Sequence, residues 1–303
     1  MSNDLVPGEL QRYAIPGRVT ITNENGGLPA VRVTTDHSTA EICLHGAHVT
    51  QFQKNDEPPL LFLSHLSEFV ADKPIRGGVP IVFPWFGPRA GAPMHGFVRL
   101  VTWYLARTEV LADGGVKVIF TLTDAVAQQN GLHAQVSYVV TVRDTLTMEL
   151  IVTNKSATEN FSFEDCLHTY FTVGDIGQVS IAGLKGRTYL DKPANFARKL
   201  ETWDVIWIAS EVDRVYLDTT DTVEIRDTKL NRTIRIEKSG SNSTVVWNPW
   251  VEKAKAMTDF DDDEFRQMVC VESGNVGESK ITLAPGKSAA MKVVVSSMSF
   301  SSR

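Results

Sequence analysis

The sequence predicts an all-β fold, a large antiparallel β-sandwich with a few short helices, on three observations. Short runs rich in β-branched residues alternate at period two along most of the chain. Gly, Asn and Asp turn signals separate them, and helical pattern is confined to short pieces with no strand–helix–strand rhythm. Residues 18–23, 30–34, 40–44 and 48–52 form the first alternating runs, broken by Asn-Gly-Gly, Asp-His-Ser and His-Gly-Ala. A helical turn is expected over 66–70. Longer strands follow at 101–111, 116–123, 133–142 and 146–153, with turns at Asp113-Gly-Gly, Asn130-Gly and Arg143-Asp-Thr, the pattern of a meander. Further strands are expected at 161–173, 179–181, 187–190, 205–208, 215–217, 223–226, 233–238, 243–247, 268–272, 280–283 and 289–298, and helices near 125–129, 194–200 and 251–257. No repeat, low-complexity tract or linker interrupts 1–303, so a single domain is expected.

The segment from Lys73 to Arg99 is the exception to the alternation. It holds Arg76, Gly77, Gly78, prolines at 80, 84, 88 and 93, the aromatics Phe83, Trp85 and Phe86, and His95. The prolines exclude a helix and only 79–83 is strand-like, so an ordered loop is predicted. Its Trp and Phe rings need to be buried or to stack against something flat, and a sugar ring is one such surface.

Composition bounds the function. The 303 residues are 43% apolar, enough for a large core, and 36 acidic against 30 basic residues give a net charge of −6. That balance argues against nucleic acid as a partner, although local arginines can still hold one phosphate. The three cysteines, Cys43, Cys166 and Cys270, have no CxxC spacing, so neither a zinc site nor a disulfide framework is suggested. No signal-peptide pattern or membrane-length apolar run is present, making a cytoplasmic protein without membrane contact the economical expectation.

RGGVPIVFPWFG (76–87) followed by HGFVR (95–99), then LHTYF (167–171), VDRVY (212–216), VVWNPW (245–250) and MVCVES (268–273), resemble the signature of the hexose-6-phosphate mutarotases, or glucose-6-phosphate 1-epimerases, a branch of the aldose 1-epimerase superfamily. The resemblance covers nearly the whole chain and implies the galactose-mutarotase-like supersandwich. It also implies exchange of the α and β anomers of a hexose 6-phosphate, foremost D-glucose 6-phosphate. Ring opening of a hemiacetal requires a base for the anomeric hydroxyl and an acid for the ring oxygen, and no cofactor.

His168 matches the family's acid position. Alternation places it with Cys166 and Tyr170 on one face, and on the sequence alone an ordinary core histidine fits equally well. Glu272 closes the apolar run 268–271 and matches the family's base; without the resemblance a structural salt bridge accounts for it as well. Arg76 and Arg99 correspond to residues that hold the 6-phosphate, with the glycines beside Arg76 expected to let ligand approach the backbone. His95 and Asp213 match substrate-contacting positions, while Trp247, Trp250 and Arg89 are further candidates. Asp259 to Glu264 is expected to be a solvated loop or a helix start, not a Ca²⁺ site, and His45 with His48 lacks a third ligand for a metal.

Two other classes compete. A catalytically silent sugar-phosphate sensor needs no acid–base pair, and a glycosidase using Asp213 and Glu272 leaves the arginines unexplained. A thiol enzyme built on Cys166 or Cys270 is a remote fourth reading, since buried thiols are usually small core residues. A monomer is the default expectation.

Overall fold

The computed structural model describes residues 7–24 and 26–300. Its frame is two large antiparallel sheets. The nine-stranded sheet runs in the order Val205–Trp207, Val179–Ala182, Val223–Asp227, Arg232–Ser239, Ser288–Ser299, Leu146–Asn154, Ala134–Val142, Val116–Thr121, Tyr104–Val110. Its centre shows the predicted alternation: Leu146–Asn154 buries every second residue, so one face goes to the core and the other stays partly solvated.

The eight-stranded sheet carries the chemistry. Its order is Ala197–Leu200, Thr188–Asp191, Val212–Leu217, Ser243–Asn248, Met268–Asn275, Asp165–Leu167, Ile81–Val82, and Tyr170–Thr172 also pairs with Met268–Asn275. Its two central strands, Ser243–Asn248 and Met268–Asn275, are buried along their whole length, covered on both faces. An amino-terminal four-stranded sheet, Val19–Glu24 to His48–Lys54, packs on the same core, which runs from Leu10 to Val295. The helices Asp124–Gln129 and Trp250–Lys255 fall where the sequence predicts them.

Four local expectations change. Residues 194–200 are not helical: Asn195 and Phe196 take left-handed φ of 55° and 59°, and Ala197–Leu200 returns as an edge strand against Thr188–Asp191. Residues 66–70 form irregular loop, not a helical turn. The strand 79–83 shrinks to Ile81–Val82, because the prolines on either side cannot donate to a ladder. The long strand 161–173 breaks into Phe161–Phe163, Asp165–Leu167 and Tyr170–Thr172.

Candidate active site

That last break is what builds the site. Leu167 pairs with Ser273 and Tyr170 with Cys270, so the unpaired residues 168–169 lie opposite Val271 and Glu272. There the backbone N–H of His168 turns away to the carbonyl of Pro80 at 3.0 Å, and Thr169 bonds back to Leu167. Prolines 80 and 84 thus do more than forbid a helix; the Pro80 carbonyl holds the histidine out of the ladder.

His168 Nε2 lies 3.3 Å from Glu272 Oε1, with the carboxyl essentially inaccessible. Cys166 Sγ reaches Glu272 Oε2, also at 3.3 Å. The His168 ring stacks on Tyr170 at 4.8 Å and 14°, so Cys166, His168 and Tyr170 work on one side as the alternation predicts. Among the described residues its buried Nδ1 has no hydrogen-bond partner.

Burial dominates the protonation of the pair. It pushes Glu272 up to about 8, against the opposing charge of Lys192 and the Cys166 hydrogen bond. Burial likewise drives His168 well below its usual range, helped by His95, Arg99 and Arg76. Burial thus favours the uncharged form of both groups, and their 3.3 Å separation is short enough for a proton to pass between them.

These residues line a cavity of about 460 Å³ together with Arg76, Arg99, His95, Asp213, Lys192, Trp247 and Phe86. A wider groove of about 660 Å³ past Trp203 and Trp207 holds none of the six predicted site residues. His95 adopts φ 64°, and its Nδ1 accepts from the N–H of Gly87 at 3.1 Å. Nε2 then carries the proton and can donate. Burial, followed by the charges of Arg99, Lys192 and Arg76, holds His95 near 3, so it stays neutral.

The two arginines are not equivalent. Arg76 is committed to Asp259, with contacts of 3.1 and 3.2 Å, and donates to Tyr170 Oη at 3.0 Å. Its burial penalty is outweighed by Tyr170 and Asp259, so its pKa is raised. Arg99 donates to the carbonyl of Met94 at 2.7 Å, its Nε has no partner, and among the described residues no carboxylate pairs with it. Burial, and next among the lowering influences the Arg76 charge, pull it down to about 10. A guanidinium short of negative charge beside a second guanidinium is a site for an anion.

Asp213 is held by Lys192 Nζ at 2.9 Å and approached by Lys253 at 3.9 Å. Held between two lysines, its carboxyl oxygens are placed to accept from a sugar hydroxyl. Trp247 lines the cavity, edge-on to His168 at 5.9 Å. Trp250 packs on Phe265 away from it, and Arg89 lies over Trp85 outside it.

The glycines beside Arg76 have a different purpose from the one expected. A Cβ on Gly77 would lie 2.5 Å from the Phe62 carbonyl, and one on Gly78 2.3 Å from that of Val49. They admit the protein's own backbone, not a ligand. Lys192, Tyr170 and Asp259 are the site residues that sequence reasoning gave no role. His45 and His48 bond to the carbonyls of Lys73 and Gly77.

A two-sheet β-sandwich carrying a buried imidazole and carboxyl 3.3 Å apart, in a cleft flanked by arginines, has the design of a sugar mutarotase. Residues 29–296 match the family model described as aldose 1-epimerase, and the chain belongs to that family. A relative from Cenchrus ciliaris named "Putative glucose-6-phosphate 1-epimerase" is 37% identical over 257 residues, 82% of this chain and 78% of its own. One of the same name from Escherichia coli K12 is 34% identical over 252 residues, 82% of this chain and 84% of its own. The crystal structure titled as a putative mutarotase from Salmonella typhimurium superposes with a TM-score of 0.86 at 29% identity, covering 94% of this chain and 95% of that one.

Proposed function

We propose that this protein interconverts the α and β anomers of hexose 6-phosphates, D-glucose 6-phosphate foremost, as a cytoplasmic monomer. One observation carries the reading: the His168–Glu272 pair shares its cavity with Arg99, a guanidinium that has no carboxylate partner among the described residues. No described helix is long and apolar enough to cross a membrane.

The shared proton explains how a buried pair can act as both acid and base. Moving it from Glu272 to His168 creates a carboxylate and an imidazolium without drawing charge from solvent. The carboxylate takes the proton of the anomeric hydroxyl while the imidazolium gives one to the ring oxygen, and the C1–O5 bond opens. The pair is again neutral, with its proton count unchanged. Rotation about C1–C2 presents the other carbonyl face, and the reverse transfers close the ring with C1 inverted.

The phosphate contributes at a distance. Bound to Arg99 and Arg76, it positions C1 against the pair and offsets the cations that depress His168. His95 Nε2 and Asp213 serve the sugar hydroxyls as donor and acceptor.

Saturation-transfer NMR on glucose 6-phosphate, with glucose and galactose in parallel, tests the proposal. Exchange above the spontaneous rate for the phosphorylated sugar is expected. Binding without acceleration would instead establish a sensor, and acceleration of the free sugars alone would remove the arginines from the mechanism.

A further inference from the structure

His168, Glu272 and Cys270 converge on one point. One ligand atom from each, an imidazole nitrogen, a carboxylate oxygen and the thiol sulfur, lie within 4.8 Å of one another. The strand Met268–Asn275 places Cys270 and Glu272 two residues apart and hence on one face, and Tyr170, stacked on His168, is the cross-strand partner of Cys270. From these positions we infer that the acid–base pair and Cys270 form a site for a thiophilic divalent cation, Zn²⁺ by preference, whose occupancy shuts the enzyme off.

Nitrogen, sulfur and carboxylate donors together suit Zn²⁺, and three protein ligands leave a fourth position for water or a sugar oxygen. With bonds of about 2.0–2.2 Å at a tetrahedral centre, nitrogen and oxygen ligands stand about 3.3–3.5 Å apart. The observed 3.3 Å between His168 and Glu272 already spans that edge. Cys270 needs only a small approach, and it sits in a cluster with Phe62, Tyr170 and Met268 that excludes water from the sulfur.

The charge balance removes the objection raised by the nearby arginines. Zn²⁺ binds the thiolate and carboxylate forms of its ligands, any protons on them going to solvent, and the metal with its two anions is a neutral set. Arg99 therefore meets no new positive charge. A carboxylate base and an imidazole acid bound to metal can no longer exchange protons with a sugar, so inhibition follows from the ligand set itself.

Cys270 has no part in the proposed proton transfers, which separates the metal site from catalysis. Co²⁺ is the probe: one equivalent should produce tetrahedral visible bands together with a near-ultraviolet thiolate-to-metal band, both abolished by Zn²⁺. Cys270→Ala and Cys270→Ser should lose the thiolate band. They should keep anomer exchange within about threefold of the parent while losing at least about tenfold in sensitivity to Zn²⁺. The spectral readout is independent of turnover, so it stands even for a protein that moves no sugar. A parent protein without the thiolate band, or Cys270 variants as sensitive to Zn²⁺ as the parent, would overturn the site.

Discussion

His168 and Glu272 face each other across a gap in strand pairing, Nε2 to Oε1 at 3.3 Å, and burial raises the carboxyl while lowering the imidazole, which suits a proton passing between them. Removing that proton's second home should abolish the reaction without disturbing the cavity. Glu272→Gln and His168→Asn are each expected to lower kcat by about 10²–10⁴, the usual range for a positioned acid or base. Saturation-transfer exchange at full substrate saturation reads the loss directly. A variant with near-parental kcat would exclude its residue from the proton transfer.

The same Glu272→Gln substitution should stabilise the fold. A carboxyl at about 8 in the folded protein and near 4.5 when unfolded releases its proton first in the unfolded chain. Its contribution is intact below about 4.5 and is lost as pH rises toward about 8. Glutamine does not titrate, so the variant should gain on the parent through that window, by on the order of 1–4 kcal/mol at its upper end. Denaturant midpoints at pH 5 and pH 8 check the sign. Equal differences at both values would mean that the carboxyl is not raised by the fold.

Arg99, without a carboxylate partner among the described residues, should matter more to phosphate than Arg76, which Asp259 already engages. Arg99→Ala is expected to raise KM for glucose 6-phosphate by about 10- to 100-fold, the loss of one charge-assisted contact of about 1.5–3 kcal/mol. Arg76→Ala should cost less in phosphate affinity, and it leaves Asp259 and the Tyr170 hydroxyl without their partner. Parallel rates on unphosphorylated glucose supply the control, because an equal loss there would contradict a phosphate role.

Much of this was legible before the fold was known. His168, Glu272, Arg76, Arg99, His95 and Asp213 all line one cavity, and the period-two runs mark most of the strands. What escaped was set by tertiary contacts. Lys192 opens the turn after the strand Thr188–Asp191, with no motif around it, and residues 194–200 beyond it mimic helical spacing although the left-handed Asn195–Phe196 pair reverses the chain. Asp259 lies in an acidic run that looks solvated, and only the fold brings it to Arg76, 183 positions away in sequence. Gly77 and Gly78 read as room for a ligand because a sequence does not reveal which backbone comes close.

Phosphate should act on His168 through charge as well as through position. Arg99 and Arg76 both depress the imidazole, and a bound dianion offsets them. Inorganic phosphate is therefore expected to raise the His168 pKa, measured by NMR titration of its ring protons, and to do so much less in Arg99→Ala. An imidazole indifferent to saturating phosphate would leave the arginines with positioning alone.

Lys192 sets the basicity of Glu272. It pairs with Asp213 at 2.9 Å and is the foremost charge holding the carboxyl down. The parental rate should fall above about pH 8, where the pair loses its last proton and has no acid left to give. Lys192→Met removes one cation and exposes the charge of Asp213, both of which push Glu272 higher. The alkaline limb should then move to higher pH, while the rate at neutral pH drops by about tenfold because the carboxylate–imidazolium form is scarcer. Lys192→Arg, keeping the charge, should restore the parental limb. A lower rate with an unmoved pH profile would mean that Lys192 only braces Asp213 and does not tune the base.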